Sequence, residues 1–261
     1  MPSPGSSREA TRQTEPVSLT IDARFNGPPH SGNGGYVAGQ LAEEVLAAHV
    51  QPTVGPSSPW VEVTLRTPPP LATPYAVELD DDATLVASVG ETVVGTARVL
   101  ESAPDAVVPV PAVQPDAVAR AEQAYVGLEN HPFPTCWVCG PQRPDGYHLR
   151  PGRIDDRHTA CMWHVAADAA GTPAGPVPAS AVWAALDCPG GWAALSSGRV
   201  VVLGRIAAAV RSVPVVGESC LVMGRLDAQD GRKVFTTTTV YRADGTPAAS
   251  ARSTWIAIDL P

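Results

Sequence analysis

Three places in this 261-residue sequence combine residue types and spacings that carry chemistry. The first is Asn33-Gly34-Gly35, which opens a segment with Val37, Leu41 and Val45 at i, i+4 and i+8. That period is one apolar face of a helix, and two glycines at its start either serve a ligand or allow close helix–sheet packing. The second is Cys136-Trp137-Val138-Cys139. Tetrahedral zinc needs four ligands. A second Cys-x-x-Cys is missing, and His131, His148 and His158 are only loosely spaced candidates. A redox pair would open a helix inside a βαβ unit, and no such unit is read here. The expectation is a structural turn with buried thiols, no metal and no cofactor. The third place is Asp187-Cys188-Pro189. Proline should stop a helix just after Asp187, leaving the acid near a helix C-terminus, where the dipole raises a carboxyl pKa. Cys188 has no histidine near it in sequence and reads as a small buried thiol. Two single residues join the candidates. His30 stands among prolines and glycines, either solvated or facing a pocket mouth. Gln40, on the first helix, is a candidate to orient a water.

The elements that must hold these residues form two copies of one pattern. In the first, Val17–Phe25 alternates apolar and polar residues as a strand does. A helix over Gly34–His49 follows, then strands at Trp60–Arg66, Tyr75–Leu79, Thr84–Val89 and Thr92–Leu100. In the second, a strand at Thr159–Val165 precedes a Gly/Pro-rich loop, Gly171–Pro178, and a helix over Ala179–Leu186. Strands follow at Val200–Val210, Ser219–Leu226, Lys233–Tyr241 and Ala248–Ile258, with Asp230-Gly231 and Asp244-Gly245 as hairpin turns. The expected organisation is a disordered tail at 1–16, one unit at 17–103, a Pro-rich connector with a short helix at 104–130, and a second unit at 131–261. Each unit is one helix in a meander of about five strands, so the class is α+β. One such unit leaves a sheet edge and a helix face bare, and pairing two covers both.

Composition excludes several classes. A net charge of −8 and a hydrophobic fraction of 44% describe a packed chain with no basic surface for nucleic acid. No apolar run reaches membrane-span length, and Met1–Pro16 lacks the apolar stretch of a signal peptide. Five cysteines without an export signal suggest reduced thiols and a cytoplasmic location.

The run Cys136-Trp137-Val138-Cys139-Gly140-Pro141, continuing through Asp145-Gly146 to Leu149-Arg150, resembles the segment preceding the hotdog domain in thioesterases of the phenylacetate-degradation type. This copy has Tyr147-His148 where that family commonly has Gly-Leu. The resemblance implies a tandem (double) hotdog in which the halves form an internal pseudo-dimer, each helix packed in a curved antiparallel sheet. In that family the helix opens His-Gly-Gly and carries an acid eight residues after the first glycine. The glycine N–H stabilises the developing oxyanion, and the acid acts as nucleophile or base. Here Asn33-Gly34-Gly35 takes the His-Gly-Gly place, and eight from Gly34 is Ala42. In the second half the acid is Asp187, and eight back is Ala179, without glycines. The resemblance therefore implies one composite site, catalytic Gly34 with Asp187, and a blank twin, Ala42 with Ala179. Asn33, Gly35, His30 and Gln40 are the expected substrate contacts. Acyl-CoA thioesterases with an Asp-Thr-Gln set offer a second comparison, but their Thr and Gln would fall near Gly204 and Arg252.

The expected activity is hydrolysis of an acyl-CoA or acyl-carrier thioester. A non-catalytic binder of acyl or aromatic ligands is the alternative. A hydratase would carry Asp-x-x-x-x-His, and neither helix start has it. Arg205, Arg211 and Arg225 are either contacts for CoA phosphates or solvated surface. A homodimer of pseudo-dimers through exposed sheet edges is a further expectation.

Overall fold

Alternating burial along the strands and continuous burial along one helix determine this architecture. The computed structural model describes residues 17–104, 107–167, 172–195 and 198–259, so the expected disordered tail at 1–16 lies outside the described residues. The first half contains β1 (Val17–Thr20), α1 (Gly34–Ala48), β2 (Trp60–Leu65), β3 (Pro74–Leu79), β4 (Leu85–Val89) and β5 (Thr92–Leu100). After α2 (Pro115–Gln123) come β6 (Gly152–Arg153), β7 (His158–His164), α3 (Ala179–Ala194), β8 (Val200–Val210), β9 (Ser219–Asp230), β10 (Lys233–Tyr241) and β11 (Pro247–Ile258). Among the described residues, eleven strands form one sheet in the order β1-β3-β4-β5-β2-β8-β11-β10-β9-β7-β6. Neighbouring strands in this order pair antiparallel. The seam between the halves is β2 against β8, with Val61, Glu62, Val63 and Thr64 opposite Ala208, Ala207, Ile206 and Arg205.

The sheet curls around two helices. On α1, Val37, Ala38, Leu41, Ala42, Val45 and Leu46 are buried, the apolar face read from the sequence. Fully burying a side chain such as Leu41 contributes about 1.5–3 kcal/mol. On α3 every residue is buried, so this helix has no solvent face. Glycines set how closely α1 and α3 approach. A Cβ at Gly35 would lie 2.5 Å from Asp187 Cβ, and one at Gly39 would lie 2.6 Å from Ser180 Cα.

Two sequence expectations are corrected. The strand over Val17–Phe25 stops at Thr20, and Ala23–Phe25 forms a 3-10 turn, because the Asp22 carboxylate accepts from Arg24 N at 2.8 Å. The break after Asp187 does not occur, and α3 runs through Pro189 to Ala194. An interior proline costs about 3 kcal/mol. Burial of all of α3 offsets it, and the residues around Pro189 fit the sheet closely. Pro189 O accepts from Thr159 Oγ1 at 2.9 Å, and a Cβ at Gly190 would lie 2.7 Å from Thr238 Oγ1. Pro189-Gly190-Gly191 is therefore a close-packing segment rather than a helix stop.

The connector is strapped to the outer face of the second half. Val110 N donates to Thr239 Oγ1 at 3.0 Å, and Tyr241 Oη donates to Val110 O at 2.6 Å. The Cys136–Leu149 segment is tied back to the first half, with Trp137 N donating to Asn26 O at 2.8 Å. Arg143 Nη1 adds a bond to Asn26 Oδ1 at 2.8 Å. These bonds bring Cys136 beside the start of α1. Among the described residues no helix is long and apolar enough to cross a membrane.

Candidate active site

The start of α1 needs acceptors for its free N–H groups. Asn33 is the N-cap, its Oδ1 accepting from Tyr36 N at 2.9 Å. Its Nδ2 donates to Asp187 Oδ2 at 2.9 Å, and Gly35 N donates to the same oxygen at 2.9 Å. Gly34 N finds no acceptor among the described residues. A carboxylate from α3 thus sits on the positive end of α1, where negative charge is favoured.

Asp187 is 4% exposed, and its Oδ1 has no partner among the described residues. Burial pushes its pKa up to about 7, opposed by the Gly35 N–H and Asn33 amide and reinforced by negative charge at Cys136. The sequence placed the rise in the dipole of the acid's own helix. The structure moves its first cause to burial, because α3 continues a further turn and more beyond Asp187.

Asp187 borders a cavity of about 610 Å³. The first half supplies Asn33, Gly34, Leu65 and Pro69 to its wall, and the second supplies Phe133, Trp192, Leu203, Trp255 and Ile256. Leu203 and Ile256 stand at a β-bulge where Gly204 is the extra residue of β8 against β11. Bulges commonly re-aim side chains beside sites. Exposed Arg66 and Arg232 stand at the mouth. Arg205, Arg211 and Arg225 are engaged elsewhere, on Thr64, on the Pro56 and Ser58 carbonyls, and on Asp227.

The predicted contacts divide. Gly34, Asn33 and Asp187 come together on the cavity wall, with the Gly35 amide behind them. His30 is exposed in the preceding loop and is not part of the wall. Gln40 also falls away from the cavity, because six residues on from Gly34 it lies on another face of α1, where Nε2 donates to Glu43 Oε2 at 3.1 Å. The cavity is also lined by Cys136, Cys139 and His131, and with them Cys188, which the sequence left without a partner.

No protein-family model and no curated protein matches the sequence. Solved structures do match in shape. A hotdog-fold protein of unknown function from Alicyclobacillus acidocaldarius aligns over 94% of this chain and 93% of its own, with TM-score 0.63 and 16% identity. The TesB protein of Mycobacterium avium subspecies paratuberculosis aligns over 93% and 92%, with TM-score 0.55 and 13% identity. The acyl-CoA thioesterase II of Mycobacterium marinum aligns over 88% and 92%, with TM-score 0.53 and 13% identity. The fold is a tandem hotdog.

Within this tandem hotdog the twin position is not blank. Ser180 N, at the start of α3, donates to Glu43 Oε1 at 2.8 Å, as Gly35 N donates to Asp187. On α1 the acid that meets the start of α3 is thus Glu43, eight residues after Gly35, where the sequence count from Gly34 pointed to Ala42. Burial raises the Glu43 pKa, with the Ser180 N–H opposing. Aromatic rings pack this end of the helix pair. Tyr36 stacks on Phe25 at 4.0 Å, and Tyr147 Oη donates to Ala181 O at 3.3 Å. Glu43 is not on the cavity wall.

Proposed function

We propose that this protein hydrolyses thioesters of acyl groups carried on coenzyme A or on a carrier protein, at the single site built from α1 and α3. The observation that carries the reading is the Asp187 carboxylate. One oxygen is held by the Gly35 N–H and the Asn33 amide, and the other is unpartnered beside an apolar cavity. The held oxygen fixes the group's orientation, and the unpartnered one is the base. It takes a proton from a water as the water oxygen attacks the acyl carbon. The Gly34 N–H, free at the helix start, is the donor for the oxygen that becomes negative. The C–S bond then breaks and the thiolate leaves, taking up a proton. The apolar wall suits an acyl or aryl group, and Arg66 and Arg232 at the mouth suit the phosphates of a carrier arm. Likeness in shape to the Mycobacterium marinum acyl-CoA thioesterase II supports the fold on which this reading rests.

Release of free thiol from a panel of acyl-CoAs tests it, with wild type and Asp187→Asn compared. A positioned general base contributes about 10²–10⁴-fold, so the variant should lose activity on that scale. Equal rates would remove Asp187 from the mechanism. Saturable acyl-CoA binding without thiol release would support the non-catalytic binder instead.

A further inference from the structure

The Cys-x-x-Cys pair lacked partners in the sequence, and the fold supplies one. Cys188 of α3, 52 residues after Cys136, brings its sulfur 3.9 Å from Cys136 Sγ. The sulfurs of Cys136, Cys139 and Cys188 all lie within 4.8 Å of one another, and all three residues are buried. Zinc–sulfur bonds of about 2.3 Å in tetrahedral geometry place sulfurs about 3.8 Å apart, the separation already found between Cys136 and Cys188. The Cys136–Cys139 turn is a tight one. Gly140 N donates to Cys136 O at 2.8 Å, and a Cβ at Gly140 would lie 2.5 Å from Cys136 N. This closes the turn so that both thiols face Cys188.

Donors surround the cluster. His131 Nε2 lies 3.3 Å from Cys139 Sγ, and its Nδ1 accepts from Phe133 N at 2.9 Å. An accepting Nδ1 leaves the proton of a neutral ring on Nε2, aimed at the sulfur. His131 is then a donor to a thiolate and not itself a ligand, a common partner of metal-bound groups. Asn33 Nδ2 stands 4.0 Å from Cys136 Sγ and 3.9 Å from Cys188 Sγ. Cys161 and Cys220 are buried too, but lie outside the cluster.

We propose that Cys136, Cys139 and Cys188 bind one zinc ion as three thiolates, with the fourth coordination position open to the cavity and taken by water. Three protein ligands and one open position are the pattern of zinc sites that meet small ligands. Three thiolates and Zn²⁺ form a group of net charge −1, which the His131 N–H, the Asn33 amide and the start of α1 all favour. The proposal does not depend on thioester hydrolysis.

The test is metal content. The full chain is expressed in zinc-supplemented medium, purified without chelator and analysed for metals. One zinc per chain is expected for wild type, Cys220→Ser and His131→Ala, and loss of zinc for Cys139→Ser and Cys188→Ser. A serine inside α3 can itself unfold the chain, so wild type is also stripped with a strong chelator. The melting temperature should fall and be restored by Zn²⁺ but not Mg²⁺. Cobalt in the stripped protein should give intense thiolate-to-metal absorption in the near ultraviolet. Wild type that is metal-free as purified and does not take up Zn²⁺ or Co²⁺ overturns the proposal. So does a Cys136–Cys188 disulfide in peptide maps. Loss of zinc in His131→Ala overturns the open fourth position.

Discussion

Replacing Gly39 by alanine sets two effects against each other. In a helix interior alanine is favoured over glycine by about 1 kcal/mol, which alone would stabilise α1. The new Cβ, however, would lie 2.6 Å from Ser180 Cα and 2.9 Å from Trp183 Cβ. Carbon atoms pack at about 3.5–4.0 Å, so the helices must part by about 1 Å. The nearest obstacle is backbone within a fully buried helix, with no flexible side-chain end to give way. Overpacking typically costs about 1–3 kcal/mol. Overpacking outweighs the propensity gain, and the net loss is up to about 2 kcal/mol, a fall in melting temperature of up to about 8 °C for a chain of this size. The same parting pulls Gly35 N from Asp187 Oδ2, now 2.9 Å away. A misplacement of 1 Å can cost about 10²-fold in rate, so thioester hydrolysis should fall on that scale too. Thermal or urea unfolding with a hydrolysis assay reads both effects. Gln40→Ala, on the same helix but held by one bond to Glu43, is the control, with a change under about 0.5 kcal/mol. A Gly39→Ala protein more stable than wild type would refute the packing argument.

Two further outcomes follow. Asn33→Ala removes the cap on Tyr36 N and a donor to Asp187, and should cost about 1–3 kcal/mol in urea unfolding, whereas Asn33→Ser should recover the cap alone and about half that loss. Glu218 takes two bonds from Arg242, at 2.5 and 2.7 Å, and these hold its pKa below the usual value. A depressed acid stabilises above its unfolded pKa of about 4.3 and stops doing so as pH falls through the folded one. The stability difference between wild type and Glu218→Gln should therefore be full at neutral pH and vanish in acid, and a pH-independent difference would argue against the ion pair.

Much of the fold was legible because periodicity reports burial. Val200–Val210 and Lys233–Tyr241 alternate or run apolar between clear turns, and both strands stand where the sequence put them. The helix over Gly34–Ala48 followed from Val37, Leu41 and Val45. What misled was local chemistry read without its neighbours. Pro189-Gly190-Gly191 carries a helix-stop signal, and only contact with Thr236, Thr238 and Trp255 turns it into a packing surface. Cys188 had no partner in its own stretch, since its partners come from a turn fixed to Asn26 by long-range bonds. Two-residue β6 is too short to produce a pattern. The pairing of Asp187 with the start of α1 was anticipated through resemblance to a family, but the register of Glu43 required the helices to be seen side by side.

Because Gly35 and Asp187 come from opposite sides of the β2–β8 seam, neither half has the candidate site alone. Thiol release would then measure how well the halves are joined, as much as how well each is folded. A chain divided within the connector would give two silent pieces, and their mixing would restore a signal whose concentration dependence reports the strength of the seam. The site is in this sense a sensor of its own assembly.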